Sequence, residues 1–208
     1  MLRIAVTTCI VLVLLLLNEW WWRGRKHGEA SRKFVHVTVG TFVAFWPLFL
    51  SWRQIELLSL AFFVVVLVSW RWNIFRAIHS VQRPTWGELY FALAVGLVAL
   101  FVRQPAVYAA ALLHMSVADG LAAIVGSRFG SAHRYKVFGA WKSWLGTATF
   151  LVSSLVILAG YSLQQGQPLG WLPLLALAAA LLENVAVRGL DNLLVPLAVA
   201  AVLGLAAV

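Results

Sequence analysis

The chain has 208 residues, of which 62% are hydrophobic and 11% charged, with a formal net charge of +9. A soluble domain is about half apolar and about a quarter charged, so this composition excludes an ordinary water-soluble fold. It points to an all-α polytopic transmembrane bundle, a single integral membrane domain over 1–208, and the lone Cys9 excludes an internal disulfide.

A bilayer core needs about 20 apolar residues per helix. The first candidate span is Ile4–Trp22, which ends in Trp20-Trp21-Trp22 and a basic run. No small-residue cleavage site precedes that run, so the span reads as a retained anchor. Val35–Ser51 and Ile55–Trp70 follow, then the short Leu89–Val102, then Ala106–Val125, which carries Asp119. Trp144–Tyr161, Leu169–Val187 and Leu190–Val208 complete the set.

Basic residues alternate with these spans. Arg23, Arg25, Lys26, Arg32 and Lys33 lie between the first two, and Arg71, Arg76 and Arg83 between the third and fourth. Arg128, Arg134, Lys136 and Lys142 lie between the fifth and sixth, and Arg188 between the last two. That places 13 of the 16 basic residues at one end and leaves Arg3, Arg53 and Arg103 for the other. Positive-inside bias then predicts both termini outside a bacterial-type plasma (inner) membrane, with the crowded end in the cytoplasm. The positive charge is accounted for by topology and by anionic lipid headgroups, not by nucleic acid. Trp70, Trp72, Trp86, Trp141 and Trp144 at the same end read as an interfacial belt.

Only seven residues are acidic, and four of them fall at the cytoplasmic ends of different spans: Glu88, Asp119, Glu183 and Asp191. Carboxylates at membrane depth are costly unless they face a cavity, a metal or a cation. Helix-end carboxylates paired with neighbouring Arg are the plain reading, and for Glu88 a helix N-terminus is reason enough. The sharper reading is an oxygen-ligand site for Mg2+, a cation that substrate phosphates usually complete.

The segment from Gly126 to Thr147 supplies Arg128, Lys136 and Lys142, the glycines Gly126, Gly130 and Gly146, and the hydroxyls of Ser143 and Thr147 at the next helix start. Glycines, cations and a helix N-terminus suit an anion. A loop that only orients the protein has the same composition. No GxxxxGK[ST] element is present, so this is not a P-loop. Asp119 just upstream favours the phosphate reading, because a metal carboxylate beside a basic loop suits a nucleoside triphosphate.

If the second helix begins by Arg32, then Arg32, His36 and Gly40 share one face. His36 is a candidate general base, since imidazole titrates near neutral pH, and equally a polar packing residue. His114 reads as a packing or hydrogen-bonding residue.

Four motifs in this order resemble the polyprenol kinase family, which includes dolichol, phytol and CTP-dependent diacylglycerol kinases and is related to phosphatidate cytidylyltransferases. They are Arg32-Lys33-x-x-His36-x-x-x-Gly40, Asp119-x-x-Ala122-x-x-x-Gly126-x-x-x-Gly130, Lys142-Ser143-x-x-Gly146-Thr147, and Glu183 with Gly189-Leu190-Asp191-Asn192-Leu193-x-x-Pro196. One departure is Trp144-Leu145 ahead of Gly146, where that pattern carries an acidic residue. The resemblance implies a membrane lipid kinase that moves a phosphoryl group from a nucleoside triphosphate, CTP, to the hydroxyl of a lipid alcohol such as diacylglycerol, a polyprenol or phytol. It implies catalytic roles for Asp119, His36, Arg32 and Lys33. Nucleotide contacts fall to Gly126, Arg128, Gly130, Lys136, Lys142, Ser143, Gly146, Thr147 and Asn192. Mg2+ falls to Asp119, Glu88, Glu183 and Asp191. A CDP-lipid synthase would use the same CTP and metal but release pyrophosphate. A small transporter or a structural membrane protein is the other alternative, but a transporter's site is expected at the midplane on broken helices, whereas these carboxylates gather at one end.

Overall fold

The computed structural model describes residues 2–22, 29–72, 86–168 and 170–206. Arg23, Arg25, Lys26, Arg76 and Arg83 of the topology argument lie outside the described residues, as do Leu169 at the start of the seventh expected span and Val208 at the end of the eighth.

Helix α1 spans Leu2–Trp22, α2 Glu29–Ala44, α3 Trp52–Trp72 and α4 Gly87–Phe101. A 25-residue rod, Pro105–Phe129, follows. It consists of α5 (Pro105–Leu113), a π-helical turn (His114–Ala118) and α6 (Asp119–Phe129). Strands β1 (Arg134–Val137) and β2 (Ala140–Ser143) form a hairpin, and α7 (Trp144–Gln165), α8 (Leu172–Val185) and α9 (Asp191–Ala206) end the chain. Among the described residues this is a helical membrane bundle. Three helices, Leu2–Trp21, Pro105–Phe129 and Trp144–Gln165, are long and apolar enough to cross a bilayer. The apolar helices α4, α8 and α9 are shorter, at 15, 14 and 16 residues.

Local chemistry explains where the boundaries differ from the hydropathy reading. The second span was expected to run to Ser51, but α2 stops at Ala44 and the chain continues as a 3-10 turn, Trp46–Leu48. Pro47 disfavours helical geometry at the residue before it and has no N–H to continue the ladder. Pro105 and Pro173 instead stand in the first turns of α5 and α8, where the missing N–H costs nothing.

The bundle is apolar both inside and outside. Tyr108, Phe150, Leu112, Met115, Leu158 and Leu203 fill its centre, while Leu16, Leu60, Phe101, Val156 and Leu205 point outward. In a membrane the outward set faces lipid at no cost. At the end opposite the basic cluster, Arg3 donates to the Phe49 carbonyl, and Arg103 pairs with Glu56 at 2.8 Å and lies over the Trp52 ring.

The π turn widens the rod just before Asp119. Ser116 Oγ donates to the Leu112 carbonyl and His114 Nδ1 to the Ala110 carbonyl. Such single wide turns sit frequently at functional positions.

Candidate functional site

Helix ends converge at the basic end of the bundle. The first half of α2 supplies Arg32, Lys33 and His36, and the first turn of α6 supplies Asp119. The hairpin brings Tyr135 and Lys142, the end of α8 brings Glu183 and Asn184, and the start of α9 brings Asp191 and Asn192. Asp119, Glu183 and Asp191 each place a carboxylate oxygen within 4.8 Å of the others. Three fixed like charges at that spacing repel strongly in a low-dielectric site. The protein sets two lysines against them: Lys33 donates to Asp119, and Lys142 donates to the Glu183 carboxylate and, at 2.9 Å, to the Glu183 carbonyl.

Neither lysine pairs with the third carboxylate, Asp191, among the described residues. Asp191 Oδ1 is buried without a hydrogen bond, and so is Asn192 Oδ1 beside it. A buried acceptor with no donor is costly. Asn192 Nδ2 is used, donating to the Gly87 carbonyl at 3.0 Å. Three carboxylates and the unpaired Asn192 Oδ1 form an all-oxygen donor set, with Lys33 and Lys142 set against it. That is the chemistry a hard divalent cation such as Mg2+ takes, so the residues present fit it.

His36 is oriented by the rod. Its Nε2–H donates to the Met115 carbonyl at 2.9 Å, its ring meets Phe91 edge-on, and the same nitrogen stands 3.7 Å from Asp119 Oδ2. A carbonyl only accepts, so the proton is on Nε2 and the free lone pair is on Nδ1.

Not every expected contact assembles. Among the described residues, Glu88 stays outside the carboxylate cluster, half-buried in the first turn of α4. Arg128 lies over its neighbour Phe129, and Lys136 over Trp141. Strand alternation puts Lys136 on the face opposite Tyr135 and Lys142. Gly126 and Gly146 of the expected phosphate cradle stand at a helix crossing. A Cβ on Gly126 would lie 2.8 Å from Ser143 Oγ and 3.2 Å from the Gly146 Cα, so α6 and α7 meet there backbone to backbone. Ser143 caps α7, accepting from the Gly146 N–H at 3.1 Å. Thr147 is likewise engaged within the protein.

Two polar residues complete the site that sequence reasoning passed over. The Tyr135 hydroxyl donates to Asn184 Oδ1 and meets Thr147 Oγ1 at 2.5 Å, and Asn184 Nδ2 donates to the Ala180 carbonyl at 2.9 Å. This cluster ties the hairpin to α8 next to Lys142 and Glu183. The signal for Asn184 was an amide inside an apolar span. Tyr135 carried none until its pairing with Lys142 across the hairpin was visible.

Over 178 residues the chain is 38% identical to a phytol kinase of Synechocystis sp., with 81% of this chain and 76% of that protein aligned. A probable chloroplastic phytol kinase of Triticum aestivum is 34% identical over 199 residues, and probable phytol kinase 2 of Glycine max 36% over 189. The alignments cover 64% and 62% of those two plant proteins, so the chain spans under two thirds of their length. No protein-family model and no solved structure matches.

Proposed function

Because this chain belongs to the phytol kinase family, we propose that it is a membrane kinase that phosphorylates a prenyl alcohol, with CTP as the donor. The alcohol oxygen attacks the γ-phosphorus, a new O–P bond forms, the bond to the β-phosphate oxygen breaks, and CDP leaves. The alcohol's proton is released to the site. The observation that carries this reading is the carboxylate cluster of Asp119, Glu183 and Asp191 flanked by Lys33 and Lys142 at one end of an apolar bundle. The CTP assignment rests on the resemblance of the four sequence motifs to CTP-using lipid kinases.

Phosphoryl transfer asks a protein mainly for positioning and charge stabilisation. Held by Asp119, Glu183 and Asp191, Mg2+ would neutralise phosphate oxygens. Lys33 and Lys142 supply two further positive charges, and Lys142 reaches the site from a rigid strand. His36, fixed through Met115, keeps the Lys33–Asp119 pair in place. The alcohol's apolar body lies among the lipid-facing helices, so only its hydroxyl has to reach the polar end. The thirteen basic residues that the sequence assigns to that end support an orientation with the site facing the cytoplasm.

The test is an assay of the purified chain in detergent, crossing CTP, ATP, GTP and UTP with phytol, a polyprenol, diacylglycerol and phosphatidate. The expected products are a prenyl monophosphate and CDP. Pyrophosphate release with phosphatidate as acceptor would overturn the reading in favour of cytidylyl transfer.

A further inference from the structure

The hairpin between α6 and α7 has a second face that the site does not use. Its two-residue connection is Phe138-Gly139, with φ of 44° and 83°. A turn with positive φ at both central positions favours Asn-Gly or Asp-Gly. Phe is a poor choice there, because its Cβ crowds the backbone in the left-handed region. The same Phe138 is 79% exposed, which in water is a second disadvantage. Trp141 is exposed on the strand beside the turn, and Phe129 and Trp144 are exposed at the ends of the flanking helices.

Cations accompany these aromatic rings. Lys136 Nζ lies 5.2 Å from the Trp141 ring centre and Arg128 5.5 Å from that of Phe129, so each charge rides on an aromatic face. From residue 120 to residue 182 the chain has four basic residues and no acidic one. The flanking rods, Pro105–Phe129 and Trp144–Gln165, are two of the three helices among the described residues fit to cross a membrane. The hairpin therefore stands where both leave the apolar layer. Tyr135 and Lys142, tied to Asn184 and Glu183, hold it across the bundle end.

We propose that this hairpin is a membrane-docking element, with Phe138 and Trp141 seated in the headgroup layer and Arg134 and Lys136 on the phosphates of anionic lipids. Aromatic side chains flanked by Lys and Arg are the pattern that the interface accommodates. A tip immersed there explains both the exposure of Phe138 and its retention in an unfavourable turn position. The surface is independent of the kinase reading. Charge complementarity selects anionic lipid as the occupant, because Arg128, Arg134 and Lys136, with Lys142 already paired to Glu183, suit a phosphate-bearing sheet.

The experiment uses the full chain with Cys9→Ser, which removes the lone, exposed thiol. Phe138→Cys carries an environment-sensitive NBD dye, and Ala140→Cys carries it in a second preparation that keeps the native tip. Both are placed in nanodiscs of phosphatidylcholine, with or without phosphatidylglycerol. The expected result is quenching by lipids bearing a nitroxide near the headgroup and protection from aqueous iodide. The lipid quenching should be at least twofold stronger with phosphatidylglycerol, and Arg134→Gln with Lys136→Gln should remove that gain. Iodide quenching equal to that of free dye at both positions would overturn the proposal. So would protection that appears only with added CTP, which would make the aromatic face a base-stacking surface. Protection that rises with protein density in the disc would assign the face to a second copy and overturn it too.

Discussion

Lys33 on α2 and Asp119 at the head of α6 form an ion pair in which both side chains are buried. Withdrawing two charges from solvent costs about as much as their attraction returns, so such a pair adds little net stability, whereas breaking it costs about 3–5 kcal/mol. The pair fixes α2 against the rod at the point where the site begins.

Asp119→Asn strands the Lys33 ammonium. The expected loss is at least about 3 kcal/mol of stability, together with loss of phosphoryl transfer. Adding Lys33→Met removes the stranded charge, so the double variant regains most of the stability but no turnover. Thermal denaturation in detergent and product formation check the two halves separately. A double variant as unstable as the single one would mean that packing, not charge, sets the cost.

Lys142→Ala is expected to lower kcat/KM for the nucleotide by at least about tenfold, or about 1.4 kcal/mol of transition-state binding. Lys136→Ala, on the other face of the hairpin, should change it by less than about threefold. Nucleotide titrations of both variants decide between a phosphate contact and a loop whose charge is interchangeable.

Removal of divalent cations with a chelator is expected to abolish activity, and Mg2+ to restore it. Asp191→Asn should raise the Mg2+ concentration for half-maximal rate by at least about tenfold. Its stability in chelator should fall little, because Asp191 Oδ1 has no partner to lose. An unchanged Mg2+ dependence would remove Asp191 from the ligand set.

Tyr135→Phe deletes the hydroxyl shared by Asn184 and Thr147 and leaves the hairpin less firmly tied to α8. About 1 kcal/mol of stability should go with it, measured by thermal denaturation. If the tie positions Lys142, nucleotide kcat/KM falls in the same variant.

Phe138→Asn places a residue that tolerates positive φ at the turn. In detergent it should stabilise the protein by about 1 kcal/mol. Thermal stability measured in detergent and again in anionic nanodiscs should show the gain shrinking or reversing once a membrane is present.

The bundle was legible in the sequence because every apolar run is a helix waiting for a low-dielectric solvent. Asp119, Glu183 and Asp191 could be read as one site because charge is rare here and each falls at a span end. Glu88 fitted the same rule and stands apart, since a span end fixes depth along the bundle but not position around it. Gly126 and Gly146 show a related ambiguity. A glycine that admits a phosphate and one that admits another backbone look alike in sequence. The hairpin was hidden because Arg134–Ser143 is only ten residues long and its turn, Phe138-Gly139, lacks the usual residues.

The π turn at His114–Ala118 makes the number of residues in the rod matter as much as their identity. A wide turn is an α-helix with one residue too many, so all that follows is rotated by about 100° relative to what precedes it. The rod is thus two helices of different phase on one backbone. The phase of α5 is set by the apolar core around Tyr108, and that of α6 by Lys33. Deleting a single residue between His114 and Ala118 would regularise the backbone, lose no functional side chain, and still swing the Asp119 carboxylate away from Lys33 and Glu183. Inside this helix a one-residue gap is therefore a heavier change than most substitutions, the reverse of what holds for its surface loops.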